Sequence, residues 1–418
     1  MLVGVPTGTG PDVRTVWSRC ALVGLGGLFS GATGPLVSAF VPPLVSEALG
    51  PHRTMVGAVM AIDNVLLLLL VPIAGALSDR AVARRQSRLP IVLAGLVIAA
   101  LGMALFPVAA ALGFVGIIAA IVALNTGINF QRSPFQAFVA DVVPSRERPL
   151  ATASVTFQMC VGAILFLMLG RAFGMQTSFL AAAGTVLLIA VALHLWVREA
   201  PQALASTQEA TVPLSLVKAA GAAWRGDFPG VRATVVSLFL LQLTFQAFTT
   251  WYALHSTERF AVRPEDVTIG FIAWAVGGAI GALPAGLIGV RIGRRNAMLA
   301  GYALMVLCLL VLDRVTGIAQ ATPFIALASA AWALPTVNAF PLFVESLPRA
   351  QRGTLAALFL LCLALGGAIG DPLNGALFDL FGSYRPLFMM MAVYTALAFV
   401  AVLLVPKGAG EAGTGPTD

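Results

Sequence analysis

Charge is scarce in this chain. Only 10% of its 418 residues are Asp, Glu, Lys or Arg, where a soluble domain carries roughly 25%. A water-exposed surface of this size is therefore excluded. Histidine is scarcer still, with three in the whole chain, and there is no paired His-Glu motif. That argues against a metal-dependent enzyme working inside a bilayer. The four cysteines, Cys20, Cys160, Cys308 and Cys362, fall inside apolar runs without metal-ligand spacing, so they read as small packing residues. No Gly-x-x-x-x-Gly-Lys-Ser/Thr loop is present, which excludes direct drive by a bound nucleotide of that kind. No cleavable leader is expected either, because the apolar stretch 16–45 is too long for one.

What is abundant is apolar surface. Hydrophobic residues make up 59% of the chain, the mean hydropathy is +0.93 and the glycines number 42. Glycine at that level suits membrane helices, where it lets backbones approach. The net charge of +7 is not a nucleic-acid signal, since the basic residues sit in short clusters between apolar runs. About 20 residues of helix cross a ~30 Å hydrocarbon core. Twelve spans fit: 17–45, 54–77, 90–110, 113–139, 150–170, 176–197, 232–256, 266–289, 297–314, 318–343, 353–377 and 386–406. The first and fourth are long enough to expect tilt or breaks.

The arginines orient these spans. Eighteen Lys and Arg residues fall on the side that carries the chain ends and the middle loop, six fall on the other side, and Arg132 lies within a span. The positive-inside rule then puts both termini in the cytoplasm of a cell-membrane protein. The stretch 198–231 reads as a cytosolic tether with a surface helix over 214–224, and the Gly-rich 407–418 as a disordered tail.

The chain also says nearly the same thing twice. Gly75-Ala-Leu-Ser-Asp79-Arg80, followed by Arg84, Arg85 and Arg88, has a counterpart in Gly286-Leu-Ile-Gly-Val-Arg291-Ile-Gly-Arg294-Arg295. Phe138-Val-Ala-Asp141-Val-Val-Pro144 has one in Phe343-Val-Glu345-Ser-Leu-Pro348. Duplicated helices with short basic turns predict an all-α membrane protein of two pseudo-symmetric six-helix bundles, 1–197 and 232–406. Pro144 and Pro348 are expected to stop their helices.

Gly75-x-Leu77-x-Asp79-Arg80 with Arg84 and Arg85 resembles the loop signature of the major facilitator superfamily. Ala61-Ile-Asp63-Asn64, the run Asn125 to Pro134, Trp332-Ala-Leu, Asn338 and Asn374-Gly375-x-Leu-Phe-Asp379-x-x-Gly382-x-Tyr384-Arg385 are similar to its sucrose-transporter-like, glycoside–pentoside–hexuronide branch. Gln86, Gln131, Thr249 and Val290 depart from that pattern. The resemblance implies alternating access and proton-coupled movement of a saccharide or similar small polar solute, with no cofactor, by a monomer in a lipid bilayer. It also implies a cytosolic gate of Gly75, Asp79, Arg80, Arg84, Arg85, Asp141, Arg291 and Glu345. There Asp79 would cap the N-terminus of the eleventh span near Gly353 and Thr354. The arginines would pair with Asp141 or Glu147, and Glu345 would face Arg291 or Arg295.

Buried charge marks the working parts. Asp63, Arg132 and Asp371 lie within spans, where an ionised side chain costs about 2.5–3.5 kcal/mol and needs a partner or a wet cavity. A long Arg132 side chain is expected to reach toward Asp63, and an acid that alternates between paired and protonated states would serve as a coupling switch. Amides and rings suited to a sugar-binding cavity are Asn125, Asn129, Gln131, Gln158, Gln242, Gln246, Asn338, Asn374 and Trp251, with Trp274 and Trp332 as further rings. The alternatives are static polar contacts between helices, efflux of an apolar or cationic drug-like compound, and a membrane sensor that transports nothing.

Overall fold

The computed structural model of the chain describes residues 13–84, 86–109, 111–144, 147–196, 230–345 and 352–406. Among these residues the structure is helical throughout. Lipid gives backbone N–H and C=O groups nothing to bond, so an apolar chain satisfies them within each helix. The elements are α1 (Val13–Leu49), α2 (Arg53–Met60), α3 (Ile62–Ala83), α4 (Leu89–Ala109), α5 (Gly113–Val142), α6 (Arg148–Trp196), α7 (Val231–Phe260), α8 (Thr268–Ile292), α9 (Arg294–Leu312), α10 (Ile318–Glu345), α11 (Arg352–Phe381) and α12 (Leu387–Leu403).

Ten helical stretches are long and apolar enough to cross a bilayer, and Leu387–Leu403 is a shorter apolar helix. Arg53–Ala83 is one crossing made of α2 and α3, interrupted at Ala61 alone. Leu150–Leu195 has 46 residues, about 69 Å of helix and enough for two crossings. Its backbone breaks at Gly174, at φ 83° and ψ 173°, a conformation that glycine reaches without a Cβ clash. The twelve predicted spans therefore match the helices, with α6 supplying the fifth and sixth.

The long first span is the 37-residue α1, which contains Pro35, Pro42 and Pro43. The long fourth is α5, with Pro134 inside it. α5 ends at Val142, just before Pro144, as expected of a residue that clashes with the helix preceding it. Pro348, nearly all of the 198–231 tether and the 407–418 tail lie outside the described residues.

Close backbone approach holds each half together. A Cβ on Gly27 or Gly31 of α1 would sit 1.9 or 2.0 Å from the carbonyl oxygens of Val155 and Met159 in α6. In the other half, Gly277 and Gly281 of α8 press in the same way on the Ala326 and Ala330 backbones of α10. Large apolar side chains left exposed, such as Leu283, Leu188, Leu101 and Leu307, lie on the crossing helices and meet lipid rather than water.

Val13 and Pro406 lie on one face, the terminal face; the opposite face is the distal one. The hydrogen bonds and ion pairs found between the two halves among the described residues cluster on the distal face: Ser46 with Tyr384, Arg53 and Thr54 with Asp379, and Arg171 with Asp266.

Candidate functional site

Asp63 sits in the first turn of α3, just after the Ala61 interruption. Its Oδ1 accepts a hydrogen bond of 2.9 Å from Asn129 Nδ2 on α5, and the same amide donates to the Asn125 carbonyl at 3.0 Å. Asn129 is fully buried. Arg132, one turn further along α5, is exposed and makes no ion pair with Asp63, although the two charges attract at longer range. The expectation that Arg132 closes onto Asp63 is corrected on this point: the amide takes the place of the guanidinium. Asn129 lies one turn nearer the depth of Asp63 and meets it without a long flexible chain to order.

From the other half, Asp371 on α11 is 1% exposed. Its Oδ2 accepts from Gln246 Nε2 of α7 at 2.9 Å, Oδ1 is buried without a hydrogen-bond partner among the described residues, and Thr250 of α7 stands close to the carboxyl. Gln242 donates to Gln246 Oε1 at 3.4 Å and extends this polar row along α7. The Asp371 and Asp63 carboxyls lie near enough to interact electrostatically across the seam between α11 and α2–α3. That seam is tight: a Cβ on Gly367 would fall 2.2 Å from the Asn64 side chain, and one on Gly57 2.2 Å from the Asp371 carbonyl oxygen. Thr250 was not among the predicted site residues. Its spacing of four from Gln246, one helical turn, was the available signal.

Beside this row lies an aromatic wall from three helices. Phe245 of α7 stacks on Trp332 of α10, with centroids 5.4 Å apart, and Trp332 meets Trp274 of α8 at 5.8 Å. All three rings are half-buried.

The other predicted cavity residues bond or pack elsewhere. Gln158 donates to the Ala21 carbonyl of α1. Asn338 donates to the Ala285 carbonyl of α8, and Asn374 accepts from the Tyr394 hydroxyl. Gln131 bonds the Ile128 carbonyl and packs on Gly95. Trp251 is buried between Phe378 and Tyr384. Asn338, Asn374 and Trp251 have no exposed surface to offer a solute. In lipid, amides placed this way join helices.

On the terminal face the basic cluster sorts itself differently from expectation. Arg88, at the start of α4, bonds Asp79 at 2.6 Å, Asp141 at 2.8 Å and the Ser78 hydroxyl at 2.6 Å. Burial works against its charge, but the hydrogen bonds and fields of Asp79 and Asp141 outweigh burial and raise its pKa. Glu147 pairs with Arg19 of α1. Arg80 and Arg84 make no ion pair among the described residues, and Arg85 lies outside them. Among the described residues the pairing expected of Arg80 and Arg84 therefore belongs to Arg88 and Arg19. Gly75 passes close to Ser133 of α5. Arg295 caps the end of α12 through the Leu403 and Val405 carbonyls. Arg291 is exposed, and the side chains of Glu345 and Thr354 and the surroundings of Gly353 lie outside the described residues. No group of three or more metal-ligating side chains occurs among the described residues.

The family model for the Major Facilitator Superfamily matches residues 23–272 and 234–417. The chain belongs to that superfamily. Its relatives of known structure share the fold at low identity. A bacterial homologue of the human lysosomal transporter Spinster, in an inward-facing, occupied conformation, has a TM-score of 0.72 at 14% identity, covering 95% of this chain and 97% of that one. The nucleoside transporter NupG has a TM-score of 0.74 at 14% identity, covering 94% and 99%. A D-xylose–proton symporter has a TM-score of 0.69 at 18% identity, covering 94% and 97%. No curated protein sequence matches the chain. This major facilitator chain is a membrane transporter and not an enzyme.

Proposed function

We propose that the chain is a secondary active transporter that works by alternating access and couples proton movement to a small polar solute such as a saccharide. It sits in the cytoplasmic membrane with both termini inside, so that the distal face, where the halves touch, is the outer one. The observation that carries this reading is the pair of acids at the seam: Asp63 held by Asn129 and Asp371 held by Gln246, one from each half. Neither acid forms an ion pair among the described residues. A carboxyl without a cationic partner, set near a second carboxyl of the other half, can exchange its proton as its surroundings change. Rocking the halves apart changes the distance between the two and so the proton count. Gln242, Gln246 and Asn125 supply amide groups for hydroxyls, and Phe245, Trp274 and Trp332 supply ring faces for C–H surfaces.

The aromatic wall favours a second reading, export of a planar apolar or cationic compound. One experiment separates the two. Proteoliposomes containing the full chain are given an imposed pH gradient and a panel of labelled sugars, then lipophilic cations. Sugar accumulation that collapses with the gradient supports the first reading. Cation movement against the gradient, with no sugar uptake, supports the second.

A further inference from the structure

We infer that Asp379 is the catch of a distal gate, and that it works by capping α2 across the two halves. α2 begins with an uncapped end: its N-cap residue, His52, makes no side-chain hydrogen bond to the helix. The first N–H groups of a helix have no partner within it. Here the first two, those of Arg53 and Thr54, are taken by Asp379, in the last turn of α11. The Arg53 N–H donates to Oδ1 at 3.0 Å, the Thr54 N–H to Oδ2 at 2.8 Å, and the Thr54 hydroxyl to Oδ2 at 2.5 Å. A carboxylate at this position also meets the positive end of the helix dipole. The cap that α2 lacks in its own half is thus supplied by the other.

The rest of the junction reinforces the catch. The Arg53 guanidinium donates to the Gly382 carbonyl at 2.9 Å and stands 4.8 Å from the centre of the Tyr384 ring. The Tyr384 hydroxyl bonds Ser46 of α1 at 3.3 Å. The turn carrying these groups is itself fixed within the second half. Glu258 accepts from the Tyr384 N–H and the Ser383 hydroxyl, and His255 Nδ1 bonds the Tyr384 carbonyl. Gly382, at φ 66°, lets the chain make that turn. Beneath the catch the helices touch backbone to backbone, since a Cβ on Gly375 would come within 2.5 Å of the Arg53 carbonyl oxygen. Further in along the same seam lies Asp371. Parting the halves on the distal face strips α2 of its cap and opens the way to that acid.

This arrangement is the inverse of the gate that the loop motif implies on the terminal face. There the end of the second span would cap the start of the eleventh; here the end of the eleventh caps the start of the second. In this structure the distal catch is closed, and Asp79 is bound to Arg88. The inference rests on alternating access and on neither the solute nor the proton.

The test uses the full chain in lipid nanodiscs without substrate, with its native cysteines replaced. Nitroxides are placed at Leu112→Cys and Thr316→Cys, one on a distal turn of each half, and their separation is read by pulsed electron resonance. Asp379→Ala is expected to raise the long-distance, distal-open population about tenfold, the weight of a lost helix cap. Asp379→Asn should raise it less, because its amide oxygen still caps. Thr54→Val, which keeps the backbone bonds and loses only the hydroxyl, should shift it in the same direction. An unchanged distribution in folded Asp379→Ala overturns the catch; if that variant does not fold, an unchanged distribution in Thr54→Val does. A shifted distribution in a chain that accumulates no sugar would overturn the solute reading and leave the catch standing.

Discussion

The Asp63 carboxylate takes its hydrogen bond from the Asn129 amide at 2.9 Å, while Arg132, three residues further along the same helix, forms no ion pair with it. An acid held by a neutral donor is free to change its proton. One locked to a guanidinium gains so much from the ionised form that it is not. Asp63→Asn should therefore abolish uphill accumulation in proteoliposomes and leave counterflow exchange measurable. Accumulation at the wild-type level would remove Asp63 from coupling.

Gln246 is the counterpart donor for Asp371. Gln246→Met keeps the length of the side chain and leaves one oxygen of a fully buried carboxyl without its amide partner. Losing such a bond costs about 1–3 kcal/mol. The expected result is a lower apparent melting temperature in detergent together with a displaced pH profile of transport. A change in melting temperature with the pH profile intact would assign Gln246 to packing alone.

Arg88 joins α3, α4 and α5 through Asp79, Asp141 and Ser78. Its planar fork fits two carboxylates at once, a geometry that lysine does not reproduce. Arg88→Lys should destabilise the fold by about 1–2 kcal/mol. Arg80→Lys, at an exposed side chain without an ion pair, should change the melting temperature by less than the error of a thermal scan.

The Arg171–Asp266 bridge also crosses the halves on the distal face, at 3.4 Å, but its Arg side chain is 50% exposed. Exposed pairs contribute about 0–1 kcal/mol, so Arg171→Ala should open the distal side far less than Asp379→Ala in the same distance measurement. Its pH dependence has a definite sign. The hydrogen bond from Arg263 holds the Asp266 carboxyl below the usual carboxylate range, burial opposes this weakly, and Arg171 adds to it. The contribution is fully present above the ordinary Asp value of about 3.9 and is lost as pH falls through the lower folded value. Titration from pH 8 to pH 5 should leave this bridge intact.

Trp332 stands between Phe245 and Trp274. If this wall binds solute, Trp332→Ala should raise KM about tenfold, the scale of a lost ring contact, and Trp332→Phe should restore most of the affinity. An unchanged KM for the transported solute would place the wall outside the binding path.

Some of this was readable from residue order and some was not. Span positions, the duplication and the place of Asp63 and Asp371 inside helices follow from hydropathy and from the cost of burying charge. Both are local and hold wherever the helix ends up. The assignment of partners does not follow from them. Arg80, Arg84 and Arg88 look alike in the chain, yet only Arg88 turns inward at a helix start with two acids in reach. Gln246 and Asn338 both fall near the middle of a span, yet one meets a carboxyl across the bundle and the other a backbone carbonyl.

The amino-acid sequence by itself determined that this chain lives in lipid as twelve helices in two related halves. An apolar chain must satisfy its backbone internally, and the spacing of its charged turns counts the crossings. Only the tertiary structure decided which face is closed, that Asp63 answers to Asn129, and that Asp379 caps a helix of the opposite half. Those contacts join residues as many as 338 positions apart, and the rotation and depth of each packed helix select them.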